Sequence, residues 1–279
     1  MNEIRIENNS ILFTLREYER MDHQQLKKHI HPYHEILYIM DGVIDYIVED
    51  KQYRLKKGDV LVIDSAKYHY VNNIITPPYK RICFEFISSF VGNDELINDV
   101  FKKNPHFSLP VDSPIPEILN LIVNSEMSAN SGYSNLLYKS SLRLTLLSLL
   151  NLNNDELIAK PNLSKTCNNI LTYINENITS INNIEQIAEK FFFSKSYISH
   201  VFKQEMKVGI MQYIRHKKIL IADKLLKKGK RPTEVAKECG YENYISFYRL
   251  YSQHFGKPPS TNKGLTKKKN YSSQRKKSK

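Results

Sequence analysis

The stretch IEQIAEKFFFSKSYISHVFK, residues 184–203, follows the same pattern as PTEVAKECGYENYISFYRLYS, residues 232–252. Each begins with apolar residues at helical spacing, passes through a short break, and continues with a second run whose apolar residues again share one face. Ala188 and Ala236 occupy matching places in the two stretches. The repeat therefore predicts two helix-turn-helix units, a motif that most often presents its second helix to the major groove of DNA.

A long helix is predicted between the two units. Apolar residues in 211–225 fit a single helical stripe that ends near Gly229. A rigid helix of this kind could set two recognition helices about 34 Å apart, which is one turn of DNA. One chain could then read two neighbouring segments of the major groove.

The polar residues of each second helix are the candidates for DNA contact, because helical geometry places them away from the apolar face. In the first unit these are Lys195, Ser196, Tyr197, Ser199, His200 and Lys203. In the second unit they are Asn243, Tyr244, Ile245, Tyr248, Arg249 and Ser252. Arg249 is the strongest candidate, since a guanidinium can bind guanine or a phosphate. Ser194 is the expected N-cap of the first recognition helix, and Asn182 with Glu185 the expected capping box of the helix before it.

Charge supports a nucleic-acid partner. Residues 160–279 hold 25 of the 41 Lys and Arg and 8 of the 29 Asp and Glu, so the remaining residues are net acidic. A solvated surface could explain the charge alone, but charge and repeat together favour binding of double-stranded DNA. Residues 263–279 are basic and predict a disordered tail that contacts phosphates without sequence preference.

Residues 1–90 predict strands. Apolar segments such as Glu35–Met40, Val43–Val48 and Val60–Ile63 are separated by turn residues, including Asp41-Gly42 and Pro77-Pro78. Short strands at this spacing are typical of a sandwich or barrel.

Residues 115–153 change to helical periodicity and predict two amphipathic helices. We assign a dimerisation face to Leu142, Leu146, Leu149 and Leu150. Leu144 and Leu147 widen the apolar surface of this helix beyond one stripe. The equal alternative is that both helices only cover the barrel.

The predicted fold is therefore α+β, with an N-terminal β-barrel and two helices followed by an all-α DNA-binding part. The expected domains are residues 1–153, a polar linker 154–166, a DNA-binding domain 167–262 and the tail. Three distant cysteines without a CxxC pair argue against a disulfide framework and a thiolate zinc site. The chain shows neither a signal peptide nor a membrane span, so we expect the bacterial cytoplasm.

Residues 167–262 resemble the DNA-binding domain of AraC/XylS transcription regulators. The resemblance is carried by motif points that include Ala188, the Val201-Phe202-Lys203 run, Gly240-Tyr241, Phe247 and Pro258-Pro259. It implies that the second helix of each unit enters the major groove, and it implies activation more often than repression. His200 and Lys218 depart from the pattern, since the family often has Arg at both places. A neutral imidazole cannot form the bidentate contact of a guanidinium, which puts the usual contact at residue 200 in doubt.

The string His29-x-His31-x3-Glu35-x6-Gly42, with Gly58 and His69 further on, resembles the two cupin motifs. Sugar-responsive AraC-type regulators share this small barrel as a sensor. The resemblance therefore implies a pocket for a small effector, lined by His29, His31, Glu35, Tyr46 and His69. His29, His31, Glu35 and His69 are also the ligand set of metal-binding cupins, which keeps a transition metal as the weaker alternative to a pocket without a cofactor.

These features together predict an effector-responsive activator of carbohydrate or catabolic genes, not an enzyme. Its expected partners are promoter DNA, a sugar-like effector, RNA polymerase and a second copy of the chain. The alternatives are a metal-dependent cupin enzyme carried on a DNA-binding module, a nonspecific architectural DNA binder, and a regulator whose barrel is only a dimer scaffold.

Overall fold

The computed structural model describes residues 4–7, 10–18, 29–127, 133–152, 160–161 and 163–259. Two compact units are formed, one by residues 1–171 with 200–208 and the other by residues 172–199 with 209–279. The basic tail predicted at 263–279 and most of the linker predicted at 154–166 lie outside the described residues. None of the helices in these ranges is both long and apolar enough to cross a lipid bilayer.

The first unit is built on one eight-stranded antiparallel sheet with strand order β1-β2-β6-β3-β4-β8, with β5 paired to β3 and β7 paired to β5. The strands are β1 (Ile4–Glu7), β2 (Ile11–Tyr18), β3 (His34–Val48), β4 (Lys51–Lys56), β5 (Asp59–Ile63), β6 (His69–Phe86), β7 (His106–Ser108) and β8 (Lys160–Pro161). β3 pairs with β6 along its length, with β5 through its first half and with β4 through its second half. The short pairing of β8 with β4 lies inside the segment predicted as a linker.

The sheet has two apolar faces. Four helices, α1 (Ser88–Val91), α2 (Asp94–Lys102), α3 (Ile115–Met127) and α4 (Ser134–Asn151), contribute to the core on one face. On the other face, the buried residues among those described come from β2, β3, β4, β5 and β6 and none comes from a helix. Burial of that face requires the sheet to fold over itself, as in the cupin-like barrel that the sequence predicts.

β3 changes the face of its side chains near its middle. Leu37 and Ile39 point into the interior, and so do Ile44 and Tyr46 further along. Strict alternation would not place both odd-numbered and even-numbered residues inside. The pairing of β3 with β6 contains register shifts between Ile39 and Ile44, around Gly42 at φ 85°. The extra residue of a bulge shifts the alternation by one. Odd-numbered side chains before the bulge and even-numbered side chains after it therefore face the interior.

Several sequence predictions for this unit need correction. Asp41-Gly42 and the cis Pro77-Pro78 pair lie inside long strands instead of ending them. Two helices, α1 and α2, were not predicted. A strand can bend at a bulge and resume its pairing beyond it, which a pattern of turn residues does not reveal.

The four leucines predicted as a dimerisation face pack inside the first compact unit. These residues, Leu142, Leu146, Leu149 and Leu150, are buried or partly buried against the helical core of the first unit. Leu142, Leu146 and Leu149 have no exposed surface to offer a partner, and Leu150 has only part of its surface exposed. The exposed leucines of the same helix are Leu136, Leu144 and Leu147.

The C-terminal helices are α5 (Lys165–Glu176), α6 (Ile184–Phe191), α7 (Lys195–Met206), α8 (Ile210–Lys227), α9 (Pro232–Glu238) and α10 (Tyr244–Phe255). The two predicted helix-turn-helix units are α6–α7 and α9–α10, and α8 is the predicted long helix between them. The second unit of the structure has a core in which Ala222 and Leu226 of α8 meet Val235, Ala236 and Phe247, along with other apolar residues. The helical periodicity read from the sequence is confirmed here.

Capping side chains mark the N-termini of three of these helices. Asn183 caps α6 and forms a reciprocal capping box with Gln186, so the capping box predicted at Asn182 and Glu185 is shifted by one residue. Ser194 Oγ accepts the Tyr197 N–H at 3.2 Å, as predicted. Asn243 Oδ1 accepts the Ser246 N–H at 2.8 Å and caps α10. A capping side chain satisfies an N–H group that the helix itself cannot.

Candidate nucleic-acid interface and effector site

The second helix of each helix-turn-helix unit has an exposed face made of the predicted contact residues. On α10, Tyr244, Ile245, Tyr248 and Arg249 are exposed while Phe247 and Tyr251 are fully buried. This division is what helical periodicity requires of a helix that rests on a core and offers its other side to a partner. Ile245 is 63% exposed, a large fraction for an apolar side chain of this size.

Two of the predicted contact residues of the second recognition helix are less available to DNA than the others. Asn243 is exposed, but its side-chain oxygen is already used in capping the helix. Ser252 is only partly exposed, and its Oγ is buried without a hydrogen-bond partner in the described part of the chain. Arg249 remains the long cationic side chain on this exposed face.

The exposed face of α7 is more polar. The six predicted residues Lys195, Ser196, Tyr197, Ser199, His200 and Lys203 are all exposed. Lys195 forms an ion pair with Glu185 of α6, and the Tyr197 ring lies 4.8 Å from the ring of Phe193. Surface ion pairs are weak, so Lys195 could exchange Glu185 for a phosphate at little cost.

Lys218 of α8 connects segments that belong to both repeats. Its Nζ donates to Asn182 Oδ1 at 3.0 Å, ahead of α6, and to the Gly240 carbonyl at 3.3 Å, in the turn between α9 and α10. The side chain is 4% exposed, and burial lowers the pKa of Lys218. Because a buried ammonium is costly without acceptors, these two bonds hold the loop and the turn in place.

In the compact unit that contains the sheet, the structure brings together the four residues of the cupin-like string. One ligand atom from each of His29, His31, Glu35 and His69 lies within 4.8 Å of the others. Glu35 and His69 are buried, and His29 is the exposed member. His29 and His69 also form an isolated β-bridge through their backbones. Predicted pocket residue Tyr46 is buried, with its ring stacked 6.2 Å from that of His69.

Backbone contacts orient the two inner imidazoles. Nδ1 of His31 lies 3.2 Å from the Tyr33 carbonyl, and Nδ1 of His69 lies 2.8 Å from the Lys67 carbonyl. A carbonyl oxygen only accepts, so each Nδ1 carries the proton. In the neutral ring, the lone pair is then on Nε2, which is the tautomer that a metal ligand needs.

The atoms that converge lack ordinary partners. His31 Nε2, His69 Nε2 and Glu35 Oε2 are buried and have no hydrogen-bond partner in the described ranges. His69 Nε2 lies 3.0 Å from Glu35 Oε2, a distance at which a protonated imidazole and the carboxylate form an ion pair. Buried polar atoms without partners are rare, and a bound ligand or ion is a common explanation.

Charge interactions in this cluster act against burial. Burial favours the neutral carboxyl of Glu35, but His69 and His31 outweigh it and hold the pKa of Glu35 well below its usual range. Burial disfavours a charged His31, yet its interactions with Glu35 and Glu85 raise the pKa of His31 overall. Burial and the charge of Glu35 raise the pKa of Glu85. The cluster therefore holds a carboxylate that attracts positive charge.

The donor set fits a divalent transition metal. Imidazole and carboxylate are suitable ligands for Zn, Fe, Mn or Ni. Ligand atoms bound to one such ion at about 2.1 Å lie roughly 4 Å apart at most, so the cluster would have to tighten only slightly. His29, His31, Glu35 and His69 would hold the ion, and the ion would supply Lewis-acid coordination to an oxygen of a bound molecule.

Sequence reasoning missed four residues that line the same interior. Tyr79, Arg81, Cys83 and Glu85 alternate along β6, and the Cys83 thiol donates to Glu35 Oε1 at 3.1 Å. Arg81 Nη1 lies 4.0 Å from Glu35 Oε1. The strict alternation of these residues was visible in the sequence, but only the register shows that this face is the inner one.

Known proteins resemble both parts of the chain. A helix-turn-helix domain model matches residues 187–263, and a cupin domain model matches residues 19–80. The uncharacterised HTH-type transcriptional regulator YdiP of Escherichia coli is 27% identical over 237 residues, 81% of this chain and 77% of that protein. The multiple antibiotic resistance protein MarA of Salmonella typhimurium is 30% identical over 95 residues, 34% of this chain and 75% of that protein. Apo ToxT from Vibrio cholerae aligns over 91% of this chain and 97% of its own, with 13% identity and a TM-score of 0.41.

Proposed function

We propose a specific role for this chain, which belongs to the AraC/XylS family of DNA-binding transcription regulators. The proposed role is to bind an operator through α7 and α10 and to change its occupancy when the first unit binds a small effector. One observation supports this role most directly. In both α7 and α10, one face of the helix is apolar and buried, and the opposite face is exposed.

The two helices would share the work of DNA recognition unequally. Arg249 would read guanine or hold a phosphate, while Ile245 and Tyr248 would contact thymine methyl groups and sugars. Lys195, His200 and Lys203 on α7 are better suited to phosphates, because each offers a single charge or a single hydrogen bond. Specific recognition would therefore depend more on α10 than on α7.

The effector would bind inside the sheet of the first unit. His31, Glu35, Tyr46 and His69 are polar or aromatic groups within a largely apolar interior, the usual composition of a small-molecule site. To regulate, the effector must bind one arrangement of the protein better than another, since equal affinity shifts nothing.

Further parts of the proposal rest on family behaviour. We propose activation of carbohydrate or catabolic genes in the bacterial cytoplasm, with contact to RNA polymerase at the promoter. This part would be excluded if the protein lowered transcription from every promoter that it protects.

A second copy of the chain is the proposed partner of α4. Leu136, Leu144 and Leu147 expose apolar surface on one helix of the first unit. Exposed apolar side chains that lie close together commonly mark a protein interface. Sedimentation velocity of the Leu144→Glu and Leu147→Glu double variant should show a monomer where the wild type is a dimer.

A divalent metal in the sensor is the second candidate, and the unpartnered Nε2 atoms of His31 and His69 favour it. Metal analysis of the purified protein should then find about one ion per chain. The His69→Gln variant should lose the ion, whereas His34→Gln should keep it, because His34 hydrogen-bonds Ser88 and stacks against Phe86 instead. Equal metal content in the two variants would exclude the site.

The deciding experiment is footprinting of the full-length protein on its own upstream DNA, with and without candidate small molecules. Protection of a defined sequence that changes with one compound supports an effector-gated regulator. Uniform weak protection of all sequences would contradict the role and favour an architectural binder. Specific protection that no compound alters would leave the sensor as a dimer scaffold.

A further inference from the structure

The inner face of β6 carries opposite charges at different levels. Glu85 lies opposite Glu35 of β3, beside the histidine cluster. Arg81 lies two residues further from that end than Cys83, opposite Ile39 of β3 and Arg16 of β2. Along the inner face of β6, Glu85 beside the histidines is therefore followed by the thiol of Cys83 and then by the guanidinium of Arg81.

Arg81 has only weak partners among the described residues, one of which is the Tyr18 ring, whose centroid lies 6.0 Å from Cζ. Its Nε atom is buried and has no hydrogen-bond partner in the described residues. Among the described residues, its nearest carboxylate contact is Nη1 to Glu35 Oε1 at 4.0 Å, the limit for an ion pair. Glu35 is already engaged by the Cys83 thiol at 3.1 Å and by His69 at 3.0 Å. A guanidinium that served only as the counterion of Glu35 would be expected to form a close, bidentate pair with it.

The neighbours of Arg81 add donors and positive charge. Arg16 is its direct cross-strand partner in an unbroken register, two residues from Tyr18 and thus on the same face. The Tyr79 hydroxyl is buried without a hydrogen-bond partner among the described residues, and its ring stacks on Tyr18 at 5.5 Å.

We propose that Arg81 and Tyr79 bind an oxyanion group, a carboxylate or a phosphate, on the small effector of this regulator. The guanidinium Nε–H and the phenol O–H are the two donors. The inference rests on the proposed function, and it changes the expected ligand from a neutral sugar to an acidic small molecule. The remainder of that molecule would extend toward Glu35, which the 4.0 Å contact with Arg81 places within reach.

The direct test is calorimetric titration of the full-length protein with matched compounds. D-glucuronate and D-glucose share a skeleton and differ in the carboxylate, and inorganic phosphate and acetate test each oxyanion alone. We expect heat of binding from glucuronate or phosphate and at least about tenfold weaker binding of glucose, because charge-assisted hydrogen bonds are the stronger ones. Glucose binding as tight as glucuronate, or no oxyanion binding up to about 50 mM, overturns the proposal.

Variants assign the binding to the two donors. Tyr79→Phe removes only the unpartnered hydroxyl and should weaken oxyanion binding several-fold without lowering the melting temperature. Arg81→Met should weaken it about tenfold or more, since it removes the charge. Lys80→Met is the matched control, because Lys80 is the adjacent cation on the same strand and pairs with Glu17 at 3.8 Å. Unchanged affinity in the folded Tyr79→Phe and Arg81→Met variants, or equal loss in Lys80→Met, contradicts the assignment.

The two proposals fail separately. Footprinting without any added compound tests operator binding and does not depend on Arg81. Calorimetry without DNA tests oxyanion binding and does not depend on α7 or α10. Specific footprints combined with absent oxyanion binding would overturn only the inference about the ligand.

Discussion

The two helix-turn-helix units have matching turns but need different residues in them. Phe193 N–H bonds to the Ala188 carbonyl at 3.0 Å, and Tyr241 N–H bonds to the Ala236 carbonyl at 2.9 Å. The residue before each donor is left-handed, with φ 56° at Phe192 and φ 72° at Gly240. Phe192 is almost fully exposed, whereas a Cβ on Gly240 would lie 1.8 Å from the Thr179 carbonyl oxygen. The backbone conformation is thus common to both units, and only packing makes glycine necessary in the second.

The exposed faces of the two recognition helices differ as well. His200 on α7 corresponds to Arg249 on α10, and Ser199 corresponds to Tyr248. Both helices keep apolar residues at the buried positions, including Ile198 and Phe247. The buried positions of a duplicated motif are restricted by the shared core, while the exposed positions are free to specialise. The following variants test whether the two units differ as these contacts indicate.

Gly240→Ala should have the largest effect. The left-handed φ alone costs about 1–2 kcal/mol of unfolding free energy for a residue with a Cβ. Displacement of the Thr179 carbonyl adds to this cost, for a total of about 3 kcal/mol or more. Gly256→Ala is the matched control, because Gly256 has φ 66° and open space around it. Denaturant unfolding followed by circular dichroism measures both, and equal losses would contradict a packing requirement at Gly240.

Arg249→Ala should weaken specific operator binding by about 1–3 kcal/mol, as expected for a lost base contact. His200→Ala should cost less than about 1 kcal/mol, since an imidazole cannot form the bidentate contact of a guanidinium. Fluorescence anisotropy with operator and random DNA measures both losses. A loss for Arg249→Ala of the same size on random DNA would indicate a phosphate contact, and a larger loss for His200→Ala would reverse the ranking of the two helices.

Variants of Asn243 distinguish its role as the cap of α10 from a contact with DNA. Asn243→Ala should lower stability by about 1 kcal/mol through loss of the cap, and Asn243→Ser should preserve it. Ser194→Ala removes the corresponding cap of α7 in the first helix-turn-helix unit and should lower stability by a similar amount. If Asn243→Ser is stable but binds the operator less well, the amide contacts DNA as the sequence analysis predicts.

Phe192→Gly should produce the smallest change, a gain of about 0.5 kcal/mol. Glycine relieves the left-handed strain but increases the conformational entropy of the unfolded chain, so the two effects nearly cancel. Thermal unfolding of the variant beside the wild type measures the difference. Clear destabilisation would show that the Phe192 ring makes a contact that stabilises the fold.

The C-terminal helices could be predicted from the sequence more completely than the interior of the N-terminal sheet. The helices α6 to α10 were predictable because apolar residues recur at helical spacing in them and Gly240 marks the turn between α9 and α10. The histidine cluster was also predictable, since His29, His31, Glu35 and His69 stand in a recognisable string. Arg81 and Tyr79 were not identified, because their importance depends on which face of β6 is enclosed. The leucines of α4 show the same limit, since an apolar stripe does not reveal whether it meets its own core or a partner.

The bulge in β3 restricts how the length of this chain can vary. Side chains before it point inward at odd numbers and those after it at even numbers, so residues 40–43 set the orientation of everything that follows in the strand. Deletion or insertion of one residue there would turn Ile44 and Tyr46 outward and bring Asp45 into the interior. A change of two residues would preserve the faces. Length differences among relatives that keep this strand should therefore occur in even numbers at this point.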